Sequence, residues 1–145
     1  MPNLDPNAKC LLCNLHGEDH DHLFFRCEMS KWLWSRLQVK CGFQSLDLNW
    51  RNLVSWLSQE WKSRNLKTIS WKLCLASMVF NIWRERNNRL HNRTANSANN
   101  IKDKIEDMIR LKMTTFNGVK DTMKNREIAM VWNLPAKIFS KSSYN

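Results

Sequence analysis

Glycine and proline are scarce, three of each. Sandwiches and barrels built from many short strands draw heavily on these residues for their turns. Their scarcity argues against such folds and favours helices. No apolar run approaches the roughly 18 residues that a membrane-spanning helix needs. Tyrosine occurs once, at Tyr144, and no two Asp are adjacent anywhere. The Tyr followed by an Asp pair that a polymerase requires is therefore missing. Three Gly cannot build a phosphate-cradling loop. Carboxylates are few, 13 Asp and Glu against 23 Lys and Arg. No Ser-His-Asp arrangement is suggested, so the chain reads as non-catalytic, with neither a small-molecule substrate nor a membrane as partner. No signal peptide is evident, and the expected location is a reducing one, nuclear or cytoplasmic.

Against these absences stands a concentration of soft ligands near the start. Cys10, Cys13, His22 and Cys27 follow the pattern C-x2-C-x8-H-x4-C. Zinc takes four such ligands tetrahedrally, with Cys pairs two to four apart and a second pair slightly wider. The first pair belongs on a tight turn that aims two thiolates at one point. The second brings two more ligands across the short apolar run Leu23-Phe24-Phe25. Three Cys and one His fill the coordination sphere and leave no position for substrate or activated water, so a single Zn2+ here would be structural. Clustered reduced thiols and a disulfide are the competing readings, and five Cys is an odd count for pairing. Cys41 and Cys74 lie in otherwise helical patterns. For the His ligand, His22 gives the compact spacing to Cys27 and His20 is the alternative, while His16 and His91 read as solvated.

The remainder reads as mainly α, with a small N-terminal Cys3His zinc loop packed on a bundle of about four helices. Residues 1–9 read as a disordered lead and 10–41 as the zinc module with its first helix. Residues 42–118 read as the helical bundle, and 119–145 as a C-terminal tail docked by Trp132. In the first helix Ser30 suits the N-cap and Gly42 the stop. A second begins near Asp47, its N-cap, with a stripe of Trp50, Leu53, Val54, Leu57 and Trp61 at helical spacing. The third runs from about Thr68 to Leu90. Leu73, Cys74 and Phe80 make it apolar over much of its circumference, which marks it as central. A polar loop over 94–100 precedes a fourth helix, from about Ile101 to Phe116, striped by Ile101, Ile105, Met108, Ile109, Lys112 and Phe116. Gly118 ends it, and residues 136–145 read as frayed. The eight Trp carry large apolar area, and aromatics at helical spacing belong in the core.

The formal net charge is +10. A zinc site with three thiolates lowers it by about one. Such an excess points to an anionic partner, most often RNA or DNA. Arg86 and Arg89 are three apart and Arg89 and Arg93 four apart, so one helical face carries them, with Arg84 to one side. These four are the candidate nucleic-acid contacts. The competing reading is structural, with Arg stems covering Trp rings or pairing with acids.

The runs His22-Leu23-Phe24-Phe25-Arg26-Cys27 and Ile82-Trp83-Arg84-Glu85-Arg86-Asn87-Asn88-Arg89 stand with Cys10-x2-Cys13 and Trp132-Asn133-Leu134-Pro135. Together they resemble the reverse transcriptase zinc-binding domain of plant LINE-type (non-LTR) retrotransposons, over nearly the whole chain. The resemblance implies a module of a retrotransposon polyprotein, with the parent reverse transcriptase polypeptide as partner. It makes Cys10, Cys13, His22 and Cys27 the ligands, Glu18 the acidic residue before the His, and Arg86-Asn87 the basic motif. The family's upstream Trp-rich segment has no counterpart before Cys10, which implies a trimmed fragment or a degenerate genomic remnant.

Overall fold

A computed structural model describes residues 4–5, 7–43, 48–60 and 62–141. The expected N-cap Asp47, the stripe residue Trp61 and the lone Tyr144 lie outside them. Among the described residues the chain is mainly helical, without strands: α1 (Glu28–Lys40), α2 (Trp50–Glu60), α3 (Leu66–Asn87), α4 (Ala98–Thr114) and α5 (Met123–Val131). Short π-helical turns cover His22–Arg26 and Asn88–Asn92.

Cys27, not Ser30, is the N-cap of α1. Ser30 lies one turn inside, where its hydroxyl donates to the Leu23 carbonyl at 2.5 Å and ties the helix to the metal loop. Leu33, Trp34 and Leu37 form its buried face. The helix stops where expected. Gly42 takes φ +79°, its N–H donates to the Val39 carbonyl and the Phe43 N–H to the Gln38 carbonyl, both at 3.0 Å. That pair of bonds is the Schellman arrangement, which needs a left-handed residue where glycine sits.

The second helix is less buried than its periodicity suggests. Leu53 is its buried residue, and Val54 is 60% exposed. Asn49 accepts the Asn52 N–H at 2.9 Å. The third starts two residues before Thr68, because Asn65 accepts the Thr68 N–H at 2.8 Å and caps it. It buries Trp71, Cys74, Leu75, Met78 and Ile82 and packs against α1, α4 and α5. It is the central helix, but Phe80 is 53% exposed. In α4, Ser97 caps the helix, so Ala98–Asn100 belong to it rather than to a loop. Ile101, Ile105, Ile109 and Met113 are buried. This stripe steps by four and stays narrow, so Met108 and Lys112 fall on its exposed flank.

Two corrections concern the C-terminal region. Residues 123–131, read as part of a tail, form α5. Thr122 caps it by accepting the Asn125 N–H at 3.2 Å. Only Asn125, Ile128 and Ala129 are buried along its nine residues, too few for a visible stripe. Its end is a second Schellman arrangement, with Asn133 at φ +50° and the Leu134 N–H on the Ala129 carbonyl at 2.8 Å. Trp132-Asn133-Leu134-Pro135 is thus a helix stop followed by proline. Residues 136–140 are not frayed. Ala136–Ile138 form a 3-10 turn, Ile138 is fully buried, and Val119 and Phe139 bridge in parallel.

A chain of aromatic contacts runs from the N-terminal loop into the bundle. Phe25 stacks on Trp34 at 5.8 Å between centroids and meets Trp50 edge-on at 5.1 Å. Trp34 reaches Trp71 at 5.7 Å, and Trp71 meets Phe43 at 5.0 Å. The Trp34 indole N–H is satisfied by the Phe24 carbonyl at 2.6 Å. Leu23, Phe24 and Phe25 are all buried, as aromatic core rather than as a surface for bases. Trp132 is buried, and its indole N–H donates to the Lys40 carbonyl at the end of α1, at 3.1 Å.

Candidate metal centre

Two turns and one helix start deliver the cysteine and histidine side chains. In the first turn the Cys10 N–H donates to the His16 carbonyl and the Asn14 N–H to the Cys10 carbonyl, both at 2.7 Å. Asn14 takes φ +55°, a left-handed conformation that Asn tolerates better than most residues. A bridge between Lys9 and Gly17 closes the loop behind it, and the Glu18 N–H donates to the Ala8 carbonyl at 3.0 Å. The lead is therefore tied down at Ala8 and Lys9. His22 opens the π-helical turn with its N–H on the Asp19 carboxylate at 2.7 Å. Cys27 closes that turn at the start of α1.

These elements converge on one point. The ligand atoms of Cys10, Cys13, His22 and Cys27 all lie within 4.8 Å of one another. Cys10 Sγ is 3.9 Å from Cys27 Sγ, and Cys13 Sγ is 3.3 Å from His22 Nε2. Metal–sulfur bonds of about 2.3 Å in a tetrahedron set ligand atoms about 3.8 Å apart. The four groups can hold a metal ion with little movement. Of the two candidate histidines, His22 lies in this group, while His20 is exposed and outside it. His16 meets the His22 ring edge-on at 5.5 Å, from the solvent side.

The neighbouring sulfurs of Cys10 and Cys27 are pushed in opposite directions. The Cys27 thiol, hydrogen-bonded to Cys10, lowers the Cys10 thiol to about 5 against the opposing effect of burial, and the N–H groups of Cys13 and Leu12 assist. Cys27 is pushed up by the same shared proton, by burial and by the Cys10 charge. The N–H groups of Met29 and Ser30 act on its sulfur in the opposite sense, without meeting hydrogen-bond geometry. Two buried thiols this close retain one proton between them. A divalent cation between them removes the penalty on the second thiolate.

The end of α3 holds the loop that carries Cys10 and Cys13. Glu18 is 2% exposed. One of its oxygens accepts from Arg86, at 2.9 Å from Nε and 2.8 Å from the terminal nitrogen. The other accepts the Leu11 N–H at 3.2 Å. Arg89 donates to Glu85 at 2.9 Å and to the carbonyls of Leu11, Leu12 and Asn96 at 3.2, 3.1 and 3.2 Å. Glu85 in turn accepts the Asn96 N–H at 2.7 Å and its side-chain amide at 2.9 Å. Burial raises the Glu85 carboxyl, but Asn96 and Arg89 outweigh it and hold it below the usual range. The backbone between the first two ligands is thereby gripped at the Leu11 N–H and at the Leu11 and Leu12 carbonyls.

This arrangement separates the four arginines read as nucleic-acid contacts. Arg86 and Arg89 turn toward the metal loop, and Arg86 also lies 5.3 Å from the Trp83 ring centroid. Arg84 is exposed. Arg93 is exposed too, at φ +52° beyond the π-helical turn, where the helical register that aligned it with Arg89 has ended. Sequence reasoning missed the part played by Glu85. The available signal was an acidic residue among apolar positions of a central helix, which needs a partner when buried.

Comparison of the chain with protein-family models, with curated proteins and with solved structures returns no match. No helix among the described residues is long and apolar enough to cross a membrane.

Proposed function

We propose that this chain is a non-catalytic zinc-binding module of a retrotransposon reverse transcriptase, working in the nucleus or cytoplasm and contacting RNA or DNA through its basic surface. The observation that carries the reading is the convergence of Cys10, Cys13, His22 and Cys27 within 4.8 Å. Three sulfurs and one imidazole nitrogen are a donor set that zinc favours, and four protein ligands leave it no catalytic position. Zinc, when bound, supplies a cross-link; the residues around it do the rest. Leu23, Phe24 and Phe25 bury the loop, and the Glu18–Arg86 and Glu85–Arg89 pairs orient it on α3. A loop of this length has too little apolar surface to fold alone, so metal and fold are coupled. With Arg86 and Arg89 engaged internally, contact with phosphates falls to exposed cations such as Arg84 and Arg93.

Native mass spectrometry with and without a chelator tests the metal. One zinc per chain, lost together with helical circular dichroism, is the expected result. Unchanged stoichiometry in Cys27→Ser would overturn the ligand assignment. The resemblance to retroelement domains supports the polyprotein context. Co-purification with a reverse transcriptase core expressed from the same element tests that part.

A second reading, a helical interaction or scaffold domain with a purely structural zinc, draws on two observations. Two of the four candidate arginines are spent internally, and α5 exposes Met123 and Met130 by 79% and 80%. Light scattering discriminates: a dimer indifferent to polyanions supports it, and a monomer that binds them does not.

A further inference from the structure

A cavity of about 560 Å³ opens far along the chain from the metal ligands, where the segment before α3 meets the α4–α5 connection. Arg64, Lys67, Lys120 and Lys124 line it, against one carboxylate, Glu127. Gly42 and Ile128 add an apolar wall. Its volume lies in the range of small-ligand sites, about 300–1,000 Å³.

Its charge is uncompensated. Some cations elsewhere lean on acids, Arg26 on Asp19, Lys102 on Asp103 and Glu106, Arg126 on Asp121, while others such as Arg84 and Arg93 stand singly on the surface rather than around a hollow. Among the described residues, Arg64, Lys120, Lys124 and Glu127 take part in no ion pair. Lys67 lies over the Phe43 ring, its Nζ 4.5 Å from the centroid, and keeps its charge unneutralised. Four cations around one hollow repel each other, and an anion seated there relieves the repulsion.

A rigid joint sets their spacing. The Asn125 side chain, 5% exposed, accepts the Leu66 N–H at 3.0 Å and donates to the Lys120 carbonyl at 2.8 Å. It locks the start of α3 to the start of α5, so cations more than fifty residues apart in sequence hold one geometry. Helix ends are not the source of the attraction. The N–H groups of Leu66, Thr68 and Asn125 are already taken by Asn125, Asn65 and Thr122. The charged side chains supply it.

We infer that this cavity is a phosphate-binding site that seats the backbone of a single RNA or DNA strand, with Arg64, Lys67, Lys120 and Lys124 on its phosphates. The inference rests on the nucleic-acid reading above and gives it a location. A single strand can lower one nucleotide into a hollow of this size and lay its sugar on the Gly42 and Ile128 wall, which a duplex cannot do.

The test uses the zinc-loaded full chain and fluorescence anisotropy of labelled oligothymidylate and oligouridylate across salt. Each phosphate contact with a single strand contributes about 0.7 to the slope of log affinity against log salt. Lys120→Gln with Lys124→Gln is expected to lower the slope by about 1.4 on both oligonucleotides, and Arg84→Gln with Arg93→Gln by less. Inorganic tripolyphosphate is expected to displace the strand from the wild type. If the Lys pair binds like wild type while the Arg pair loses affinity, the cavity assignment falls and the nucleic-acid reading stands. If the wild type binds neither oligonucleotide at low salt, the nucleic-acid reading itself falls. Tripolyphosphate binding that the Lys pair abolishes, without any oligonucleotide binding, would overturn the strand as ligand. Zinc stoichiometry and circular dichroism report folding of each variant. Arg64→Gln with Lys67→Gln probes the same cavity should the Lys pair misfold.

Discussion

Arg86→Ala is the most informative single change, because it strikes the candidate metal centre without touching any of its four side chains. The Arg86 and Glu18 side chains are 14% and 3% exposed. Removing the guanidinium leaves the Glu18 carboxylate buried with one hydrogen bond, from the Leu11 N–H. Breaking a buried pair this way costs about 3–5 kcal/mol. Arg86 keeps some exposure, so water can enter the vacated space, and the lower end, about 3 kcal/mol, is expected. At about 1.4 kcal/mol per tenfold, that is a factor on the order of 100. The Leu11–Leu12 backbone sits between two ligands, so the loss should appear in zinc affinity as well as in stability. A factor of 10–100 is the usual range for a partner of the ligand shell. Chelator competition measures the affinity, and urea unfolding of the loaded protein measures the stability. Glu18→Gln removes the stranded charge, so Arg86→Ala should cost less in that background. Zinc affinity within about twofold of wild type, with a coupling below about 0.5 kcal/mol in the cycle, would refute the reasoning.

Trp132→Ala should destabilise the fold by about 3–5 kcal/mol, since it empties a buried site and orphans the Lys40 carbonyl, whereas Trp132→Phe should cost less; denaturant midpoints check both. Asn133 holds a left-handed φ of +50°, so Asn133→Gly should be tolerated and Asn133→Val should cost about 1–2 kcal/mol, read by thermal melts. The Glu85 carboxyl is held below its ordinary value of 4.5. It therefore contributes stability above that value and loses it as the pH falls through the lower, folded one; urea titrations from neutral to acid pH should show a limb that Glu85→Gln flattens. Double replacement of Cys10 and Cys13 by Ser should abolish metal binding and remove the response of the circular dichroism to chelator.

The helical class, the clustering of the Cys3His quartet and the stop at Gly42 were legible because each depends on neighbours in sequence. A C-x2-C turn, a left-handed glycine after a helix and a 3.6-residue period are local geometry. The same locality explains the misses. Short α5 buries too few residues to show a period, and its Thr122 cap and Asn133 stop surround no obvious stripe. Ser30 looked like a cap because its type suits one, but the turn before it carries Cys27 to that position and frees the hydroxyl for Leu23.

What only the tertiary structure decided are pairings across long separations. His22 and His20 differ by two residues, and spacing alone ranks them without choosing; the π-helical turn aims one inward and leaves the other in solvent. Arg86 finds Glu18 across 68 residues, and Trp132 finds Lys40 across 92. No periodicity encodes such partners. They arise when the packed α3 brings its last turns beside the metal loop, where a buried carboxylate without a cation would be too costly to keep. The sequence alone therefore determined that this protein carries a Cys3His group able to hold a metal ion on a basic helical body. The folded chain decided which of its arginines support that metal loop and which remain free to meet an anion.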